Sequence, residues 1–428
     1  MGITETTRTR RKTLPLVAAV LAPLTFVTAC GGSAGSAEEG PVTLRMTVWT
    51  ADEGHLQLLE DIAKEYRRSH PDIAEIKFDS LPRETYTTAL TTQIAGGDAP
   101  DLAWILESSA PDFINSGALA PLKEKIQDEQ DLVPTATKLW QKDGELYAYP
   151  FSTSPFGVFV NTDVIKDAGQ KTPAELIKDG KWNWDNAMKV NAAVAEGDKA
   201  GLSIPDFEYK DWDNLATIWG GWDAEPWSDD GKTCGFNSPD MLDAMTFFHD
   251  AAFKSKATPQ PGVVVDFFAG DAAMAIAQMS RSAQLKDATF GWDLVPLPSG
   301  PKGDYAVIGQ AGIGVMKKSP NADAATDFLS FMTSPANSAK LGQFFPPARS
   351  AQLNAGTLAK SNPLLKPEQV QSVVIDGISK GIVKPQHTGM DELKQTVRAA
   401  LDPLWKPNAD VKAVLGGVCA KIQPMLGS

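Results

Sequence analysis

The sequence predicts an α/β protein of two or three domains, and three observations support this fold class. The chain has 428 residues, which is too many for one ordinary hydrophobic core. Its hydrophobic fraction of 43% and charged fraction of 22% are typical of a globular protein. From Val42 onwards, strand-like segments alternate with helix-like segments, as in an open sheet of parallel strands covered by helices.

Strands are predicted where apolar residues alternate with polar ones or form short apolar runs. The predicted strands are residues 42–49, 73–81, 101–106, 157–160 and 308–316. Ligands of open α/β sheets bind beyond the carboxyl ends of the strands. Residues 49–53 and 105–109 are therefore predicted to meet at one crevice.

Helices are predicted where apolar residues recur on one helical face and a helix breaker follows. The first predicted helix ends before Pro71, because a residue that precedes proline disfavours helical geometry. Asn183 or Asp185 can cap a later helix. The predicted helices are residues 55–70, 84–95, a segment that ends at 195, two segments within 212–253, 322–332, and several proline-broken helices towards the C-terminus.

Residues 1–29 are predicted to be a secretory signal peptide, because basic residues precede an apolar run and small residues. The segment Val27-Thr28-Ala29-Cys30 resembles a bacterial lipobox, which implies that Cys30 is lipidated. The alternative is ordinary signal cleavage with an incidental Cys30. Residues 30–41 are predicted to be a flexible tether. We therefore expect an exported protein, through the Sec or the twin-arginine route, anchored by lipid to the outer face of the cytoplasmic membrane.

The composition argues against a nucleic-acid binder and against a metal enzyme. The formal charge of −13 repels a phosphate backbone. The four histidines show no zinc-ligand spacing, and no phosphate-binding glycine motif is present in the sequence. We expect no nucleic-acid partner, no metal and no cofactor.

Two cysteines remain once Cys30 is assigned to a lipid. An oxidising exterior favours a bond between Cys234 and Cys419. We predict this disulfide, and the alternative is two buried free thiols.

Several ordered segments carry a family resemblance. They are Gly96-Gly97-Asp98-Ala99-Pro100-Asp101-Leu102, Tyr147-Ala148-Tyr149-Pro150 with Val158-Phe159-Val160-Asn161, Phe268-Ala269-Gly270-Asp271-Ala272-Ala273-Met274, Trp292-Asp293-Leu294-Val295-Pro296-Leu297-Pro298, residues 324–332, and Pro347-Ala348-Arg349. Together they resemble the extracellular solute-binding proteins of ABC importers, the carbohydrate-type family that includes maltose-binding protein. The resemblance implies a periplasmic-binding-protein-like fold: two α/β lobes, three hinge crossings, and a cleft that closes on ligand.

The resemblance also implies a division of the chain into lobes. Cys234 and Cys419 fall in the same lobe, which is consistent with the predicted disulfide. Lobe one would comprise residues 42–151 and 301–349, lobe two residues 156–299 and 354–428, and the hinges would lie near 152–155, 300 and 350–353.

Aromatic side chains are the first candidates for a sugar site, because sugar rings have apolar faces and hydroxyl rims. Trp219 and Trp222 could form a ring platform, or they could pack in the core. Trp49 lies at a strand end, and Asp52 and Glu53 follow in a loop, where ligand groups commonly lie. The alternative for these two carboxylates is complementation of the dipole of the following helix.

Polar candidates follow from the resemblance and from the predicted crevice. Glu107 and Ser108 follow the third strand, and Ser154 lies in a hinge crossing where relatives present a polar contact. Gln310 and Gly312 could offer side-chain and backbone donors at the crevice.

Two arginines are further candidates. Ser280 and Arg281 stand where relatives usually carry an aromatic residue, and Arg349 ends the last landmark. A guanidinium group can bind a carboxylate or phosphate in a bidentate manner, or several hydroxyls. The alternative for each arginine is a salt bridge at the surface or the hinge.

We therefore expect the substrate-binding lipoprotein of an ABC importer, a monomer without catalytic residues that delivers a mono- or oligosaccharide to the permease subunits. The first alternative is a binder of a phosphorylated or acidic solute, such as a glycerol phosphodiester held by Arg281 or Arg349. The others are a secreted carbohydrate-active hydrolase and a scaffolding lipoprotein. The pattern Gly377-Ile378-Ser379-Lys380-Gly381 matches a nucleophile elbow, but Pro385 prevents the long helix that an elbow requires.

Overall fold

The computed structural model describes residues 40–122 and 124–427. The predicted signal peptide, the candidate lipidation site at Cys30 and nearly all of the predicted tether lie outside the described residues. Among the helices that are described, none combines the length and apolar character needed to cross a membrane.

The strand predictions are confirmed to within one residue at each end, except for the fourth strand, which is longer than predicted. In the described part of the chain, the strands are β1 (Val42–Val48), β2 (Ile73–Ser80), β3 (Leu102–Leu106), β4 (Gln141–Lys142), β5 (Glu145–Leu146), β6 (Tyr149–Asn161), β7 (Ala200–Ser203), β8 (Ala272–Gln278), β9 (Trp292–Val295), β10 (Val307–Val315) and β11 (Ile382–Val383).

Nine of these strands form one mixed sheet. Its order is β2-β1-β3-β10-β6-β8-β7, with β11 beside β10 and β9 beside β6. β1 is parallel to β2 and to β3, which confirms the parallel layer predicted from the first segments. β10 is antiparallel to both of its main neighbours, β3 and β6, so the sheet as a whole is mixed.

β6 connects the two halves of this sheet. Residues 149–155 pair with β10, whereas residues 156–161 pair with β8 and β9. Only residues 157–160 were predicted, because Pro150 and Pro155 cannot donate to a strand ladder. The structure accommodates Pro150 beside a register shift in β10. The predicted hinge at residues 152–155 thus lies within a continuous strand.

The predicted helices over residues 42–332 are present, and proline-punctuated helices follow. The helices of the described residues are α1 (Glu53–Arg67), α2 (Tyr86–Gly96), α3 (Ala110–Asn115), α4 (Pro134–Thr137), α5 (Thr162–Asp167), α6 (Pro173–Lys178), α7 (Trp184–Ala195), α8 (Ala216–Trp219), α9 (Pro239–Phe253), α10 (Ala322–Met332), α11 (Pro335–Leu341), α12 (Ala355–Ser361), α13 (Pro367–Gln369), α14 (Asp376–Lys380), α15 (Met390–Leu401) and α16 (Val411–Leu426).

Capping residues explain where several helices begin and end. The Asp52 carboxylate accepts a hydrogen bond from the backbone of His55 at the start of α1. Asn183, rather than Asp185, caps α7 by accepting from the backbone of Asn186. Gly97 ends α2 in the left-handed region with φ of 78°, which a residue without Cβ adopts readily.

The buried apolar residues form separate cores, which gives the two-lobed architecture. Core one comprises residues from 44–151 and 311–348. Core two comprises residues from 156–307 and 390–426, and a smaller adjoining core is built from Phe159 and residues of 267–294 and 358–378. Within core two, Cys234 and Cys419 form the predicted disulfide, with their Cα atoms 5.5 Å apart.

Candidate functional site

A cleft of about 1110 Å³ lies between core one and the other two cores, and residues from both sides line it. Its volume is at the upper end of the range typical of small-molecule sites. The cleft is lined by residues 49–52, which follow β1, and by residues 106–108 at the end of β3. Both segments were predicted to meet at one crevice from the parallel order of the strands.

Aromatic side chains form the wall of the cleft on the core-one side. The ring centroids of Trp49 and Trp104 are 4.8 Å apart, those of Trp104 and Phe151 are 4.7 Å apart, and those of Phe151 and Phe345 are 5.1 Å apart. Phe344 lines the cleft beside them. The Arg83 guanidinium lies 5.8 Å from the Trp49 ring centroid. Trp104 and Phe151 are buried behind this wall, and Trp49 and Phe344 are partly exposed on it, where they suit the apolar face of a sugar ring.

Polar side chains dominate the opposite wall. Arg281 forms an ion pair with Asp206, and about a third of each side chain is exposed. Ser280 precedes Arg281, and its backbone N–H donates to the Ser154 hydroxyl at 3.4 Å. Ser154 itself does not line the cleft, so it supports the wall from behind.

Charged groups from both sides meet at the floor of the cleft. Lys384 Nζ lies 2.6 Å from Glu107 Oε1 and 3.2 Å from Asp213 Oδ2. Lys394 Nζ lies 2.9 Å from the other Asp213 oxygen. The second oxygen of Glu107 accepts the backbone N–H of Gln310 at 2.5 Å. The carboxylates of the floor are therefore bound to other groups of the protein.

These contacts decide the ionisation states at the floor. Burial raises the pKa of Asp213, but Lys384 and Lys394 outweigh burial and hold it well below its usual range. Burial likewise lowers the pKa of Lys384, and Glu107 and Asp213 outweigh it so that the pKa is raised. Both groups are charged at neutral pH.

Of the residues predicted from the sequence, seven line the cleft and six do not. Those that line it are Trp49, Asp52, Glu107, Ser108, Ser280, Arg281 and Gln310. Those that the structure places elsewhere are Glu53, Ser154, Trp219, Trp222, Gly312 and Arg349.

The predicted tryptophan platform lies in core two instead of the cleft. Trp219 is fully buried against Trp212 and Phe236, and Trp222 is buried beside Phe247. The two glycines between them let the backbone of Gly300 and the ring of Tyr305 approach closely. The packing alternative is therefore the one that the structure supports.

Arg349 also has a structural position. Its side chain is fully buried and donates to the carbonyl oxygens of Thr333, Asp128 and Gln127 at 2.6–3.1 Å. Arg349 was predicted to bind ligand or to form a salt bridge. The structure corrects both predictions, because every one of these partners is a backbone carbonyl. The guanidinium joins two loops of core one across the ring of Tyr149.

Two other predicted residues, Glu53 and Gly312, also lie outside the cleft. Glu53 is an exposed residue of the first turn of α1, where its charge complements the helix dipole. A Cβ atom on Gly312 would lie 2.7 Å from the Trp140 ring, so glycine is needed for packing. Asp52 lines the cleft and caps α1 at the same time.

Several residues of the cleft were not predicted from the sequence. Phe344 and Phe345 are separated from the Pro347-Ala348-Arg349 landmark only by Pro346, and this adjacent aromatic pair is the one local signal that could have found them. Trp104 lies in an apolar strand, and Lys384 follows a two-residue strand, so no local pattern marked either.

The Gly-x-Ser-x-Gly pattern does not form a nucleophile elbow. Ser379 lies within α14 with its side chain exposed, whereas an elbow places the serine at a turn from strand to helix.

Comparisons with known proteins agree with this architecture. The sequence profile of the family described as "Bacterial extracellular solute-binding protein" matches residues 53–339. A binding protein of Brucella abortus (strain 2308) is 25% identical, over 92% of this chain and 95% of its own length. An ABC substrate-binding protein of Listeria monocytogenes in complex with cycloalternan has a TM-score of 0.76 at 23% identity, covering 90% of this chain and 99% of that one. The cyclic α-maltosyl-1,6-maltose binding protein of Arthrobacter globiformis has a TM-score of 0.78 at 17% identity, covering 91% of this chain and 100% of that one.

Proposed function

We propose that this chain, which belongs to the family of bacterial extracellular solute-binding proteins, captures an uncharged carbohydrate between its two lobes. The similar Listeria and Arthrobacter proteins are described with a cyclic oligosaccharide as ligand. An oligosaccharide fits the volume of the cleft better than a monosaccharide does, since 1110 Å³ exceeds what one ring fills.

The observation that carries this proposal is the internal pairing of the charges in the cleft. Arg281 pairs with Asp206, and the two lysines of the floor pair with carboxylates of the floor. An anionic ligand would have to compete with these carboxylates for Arg281, Lys384 or Lys394, at the cost of leaving a carboxylate unpaired. This argues for a neutral ligand over the phosphorylated or acidic solute that we considered from the sequence.

The aromatic wall supplies the second observation. Trp49 and Phe344 are partly exposed on this wall, so they can stack on the apolar face of a sugar ring. Trp104 Nε1 and Gln310 Oε1 have no hydrogen-bond partner among the described residues. Both atoms are closed to solvent, so a ligand in the cleft does not reach them in this arrangement.

Ligand capture would work by closure of the lobes. A ligand that contacts both walls binds the closed arrangement better than the open one and shifts the population towards it. We propose lobe bounds of 42–151 with 311–349, and 156–307 with 354–428. The third crossing then follows Val307, which packs in core two, instead of lying at residue 300 as predicted. In an ABC import system, permease subunits would recognise the closed protein, and the lipid at Cys30 would hold it at the membrane as a monomer.

Catalysis is not expected in this cleft. A glycosidase needs one carboxylic acid as proton donor and one free carboxylate. Glu107 and Asp213 are both bound to Lys384, and Asp206 is bound to Arg281. Glu107, Asp213 and Asp206 are thus each paired with a cation, which suits binding rather than hydrolysis.

Thermal shift measurements with matched neutral and phosphorylated solutes test the proposal. The pairs are glucose with glucose 6-phosphate, and maltose with maltose 1-phosphate, together with cycloalternan and sn-glycerol 3-phosphate. A ligand at a hundred times its Kd stabilises the protein by about 2.7 kcal/mol. We expect stabilisation by a neutral sugar and none by its phosphorylated partner. Stabilisation by phosphorylated solutes alone would replace this proposal with the anionic alternative.

A further inference from the structure

Lys384 lies between carboxylates that belong to opposite sides of the cleft. Glu107 directly follows β3, whose residues pack in core one. Asp213 lies between Trp212 and Leu215, which pack in core two. The side chains of Lys384 and Glu107 are each 10% exposed, and that of Asp213 is 2% exposed. A buried lysine thus bridges two carboxylates that would otherwise face each other across the cleft.

The hydrogen-bonding capacity of this lysine is fully used within the protein. An ammonium group has three donors. Lys384 Nζ has three acceptors: Glu107 Oε1 at 2.6 Å, Asp213 Oδ2 at 3.2 Å and Asn214 Oδ1 at 3.3 Å. The second carboxylate oxygen of Glu107 accepts a hydrogen bond from the backbone N–H of Gln310. Lys384 therefore has no free donor for a ligand.

The segment after Lys384 makes two more contacts of the same kind. The backbone N–H of Gly389 donates to Asp112 Oδ1 at 2.9 Å, and Asn115 Nδ2 donates to the Thr388 hydroxyl at 3.0 Å. Asp112 and Asn115 lie on α3, which packs in core one, whereas α15 begins after Gly389 and packs in core two. Lys384, Thr388 and Gly389 therefore contact core one, whereas His387 between them packs against Trp227 of core two.

We propose that Lys384 is a positioning residue that holds the two lobes at the spacing seen here, and so sets ligand affinity without touching the ligand. Without its charge, Glu107 would be a buried carboxylate with no cation, facing Asp213. Separation of the lobes would then be favoured because it hydrates Glu107, since a buried charge without a partner is strongly unfavourable. The consequence for ligand affinity rests on the proposed function, whereas the effect on lobe spacing does not.

Small-angle X-ray scattering of Lys384→Met without ligand tests this inference. Residues 41–428 form one compact unit, so this part of the chain can be studied without the N-terminal segment. A compact chain of this length has a radius of gyration of about 21 Å. We expect a larger radius for Lys384→Met than for the wild type, with an unchanged far-UV circular dichroism spectrum.

Two further variants keep the test decisive if Lys384→Met folds poorly. Glu107→Gln removes the charge at the core-one end only and keeps both core-two partners of Lys384, so a radius between wild type and Lys384→Met is expected. Lys384→Met combined with Glu107→Gln removes the unpaired carboxylate and is expected to return to an intermediate radius.

Lys394→Met is the matched control. Lys394 also pairs with Asp213, but its other carboxylate partner, Asp211, lies in the same turn, so Lys394 does not join the lobes. Its loss should leave the radius of gyration unchanged. Equal radii for wild type, Lys384→Met and Glu107→Gln would overturn the inference. An increase in Lys394→Met as large as in Lys384→Met would also overturn it. Both results are independent of whether any sugar binds.

Discussion

The two arginines that the sequence marked as ligand candidates have opposite roles in the structure, and exchanging each for methionine separates these roles. Arg349 is fully buried and donates to three backbone carbonyls, of which that of Thr333 is buried. Arg281 is a third exposed and lines the cleft. Arg349→Met should therefore reduce stability, and Arg281→Met should reduce ligand affinity.

The magnitudes follow from the contacts. A buried carbonyl left without a donor costs about 1–3 kcal/mol, and each of the two partly buried carbonyls loses a hydrogen bond worth about 1 kcal/mol. Methionine avoids the burial of a charge, so the net loss for Arg349→Met is expected to be about 3 kcal/mol. The exposed ion pair of Arg281 contributes about 0–1 kcal/mol to stability. A charged hydrogen bond to ligand is worth about 1.5–3 kcal/mol, which is at least tenfold in Kd.

Urea denaturation followed by circular dichroism measures the first quantity, and calorimetric titration with the sugar that stabilises the wild type measures the second. Each variant serves as the control for the other. The reasoning is refuted if Arg349→Met keeps wild-type stability within about 1 kcal/mol but loses the ligand, or if Arg281→Met is the less stable of the two.

Three other predictions concern stability. Replacing both Cys234 and Cys419 with alanine should lower the free energy of unfolding by up to about 5 kcal/mol in the chain-entropy picture, because the bond closes a loop of 185 residues; a urea midpoint equal to that of the wild type would contradict it. Gly312→Ala should cost about 1–3 kcal/mol, because its Cβ would overlap the Trp140 ring, and a neutral effect in the same assay would show that the ring can move. Asp213 has a lowered pKa in the folded state, so its contribution is complete above the usual aspartate range and is lost as the pH falls through and below that range. The urea midpoint of Asp213→Asn should accordingly depend less on pH than that of the wild type between about pH 4 and pH 2, and equal slopes would contradict the assignment.

Most of the strands and helices in the first part of the chain could be predicted from the sequence, because local patterns of apolar residues determine them. The alternation in β1 gives its bounds to within one residue. The apolar face of α1 predicts the helix, but its start is two residues and its end three residues too late. The full length of β6 could not be predicted, since its first half contains two prolines and is a strand only because it pairs with the distant β10. The antiparallel insertion of β10 likewise depends on contacts far apart in the chain.

The site could be predicted only in part, for a related reason. Residues at strand ends, such as Trp49 and Glu107, follow from sheet topology, and both line the cleft. Trp219 and Arg349 were misplaced because composition does not distinguish a buried tryptophan or arginine from one at a ligand site. Lys384 acquires its role only from Glu107, which is remote in sequence, so no local pattern could reveal it.

The central claim is that an uncharged sugar binds between the lobes, and calorimetric titration of the wild-type protein tests it most directly. The account predicts saturable heat with a neutral oligosaccharide such as cycloalternan or a maltooligosaccharide, near a Kd of about 1 μM, which is about −8 kcal/mol. It also predicts recovery of that sugar unchanged by mass spectrometry. Saturation by sn-glycerol 3-phosphate with no response to neutral sugars, or recovery of a hydrolysed sugar, would contradict the account.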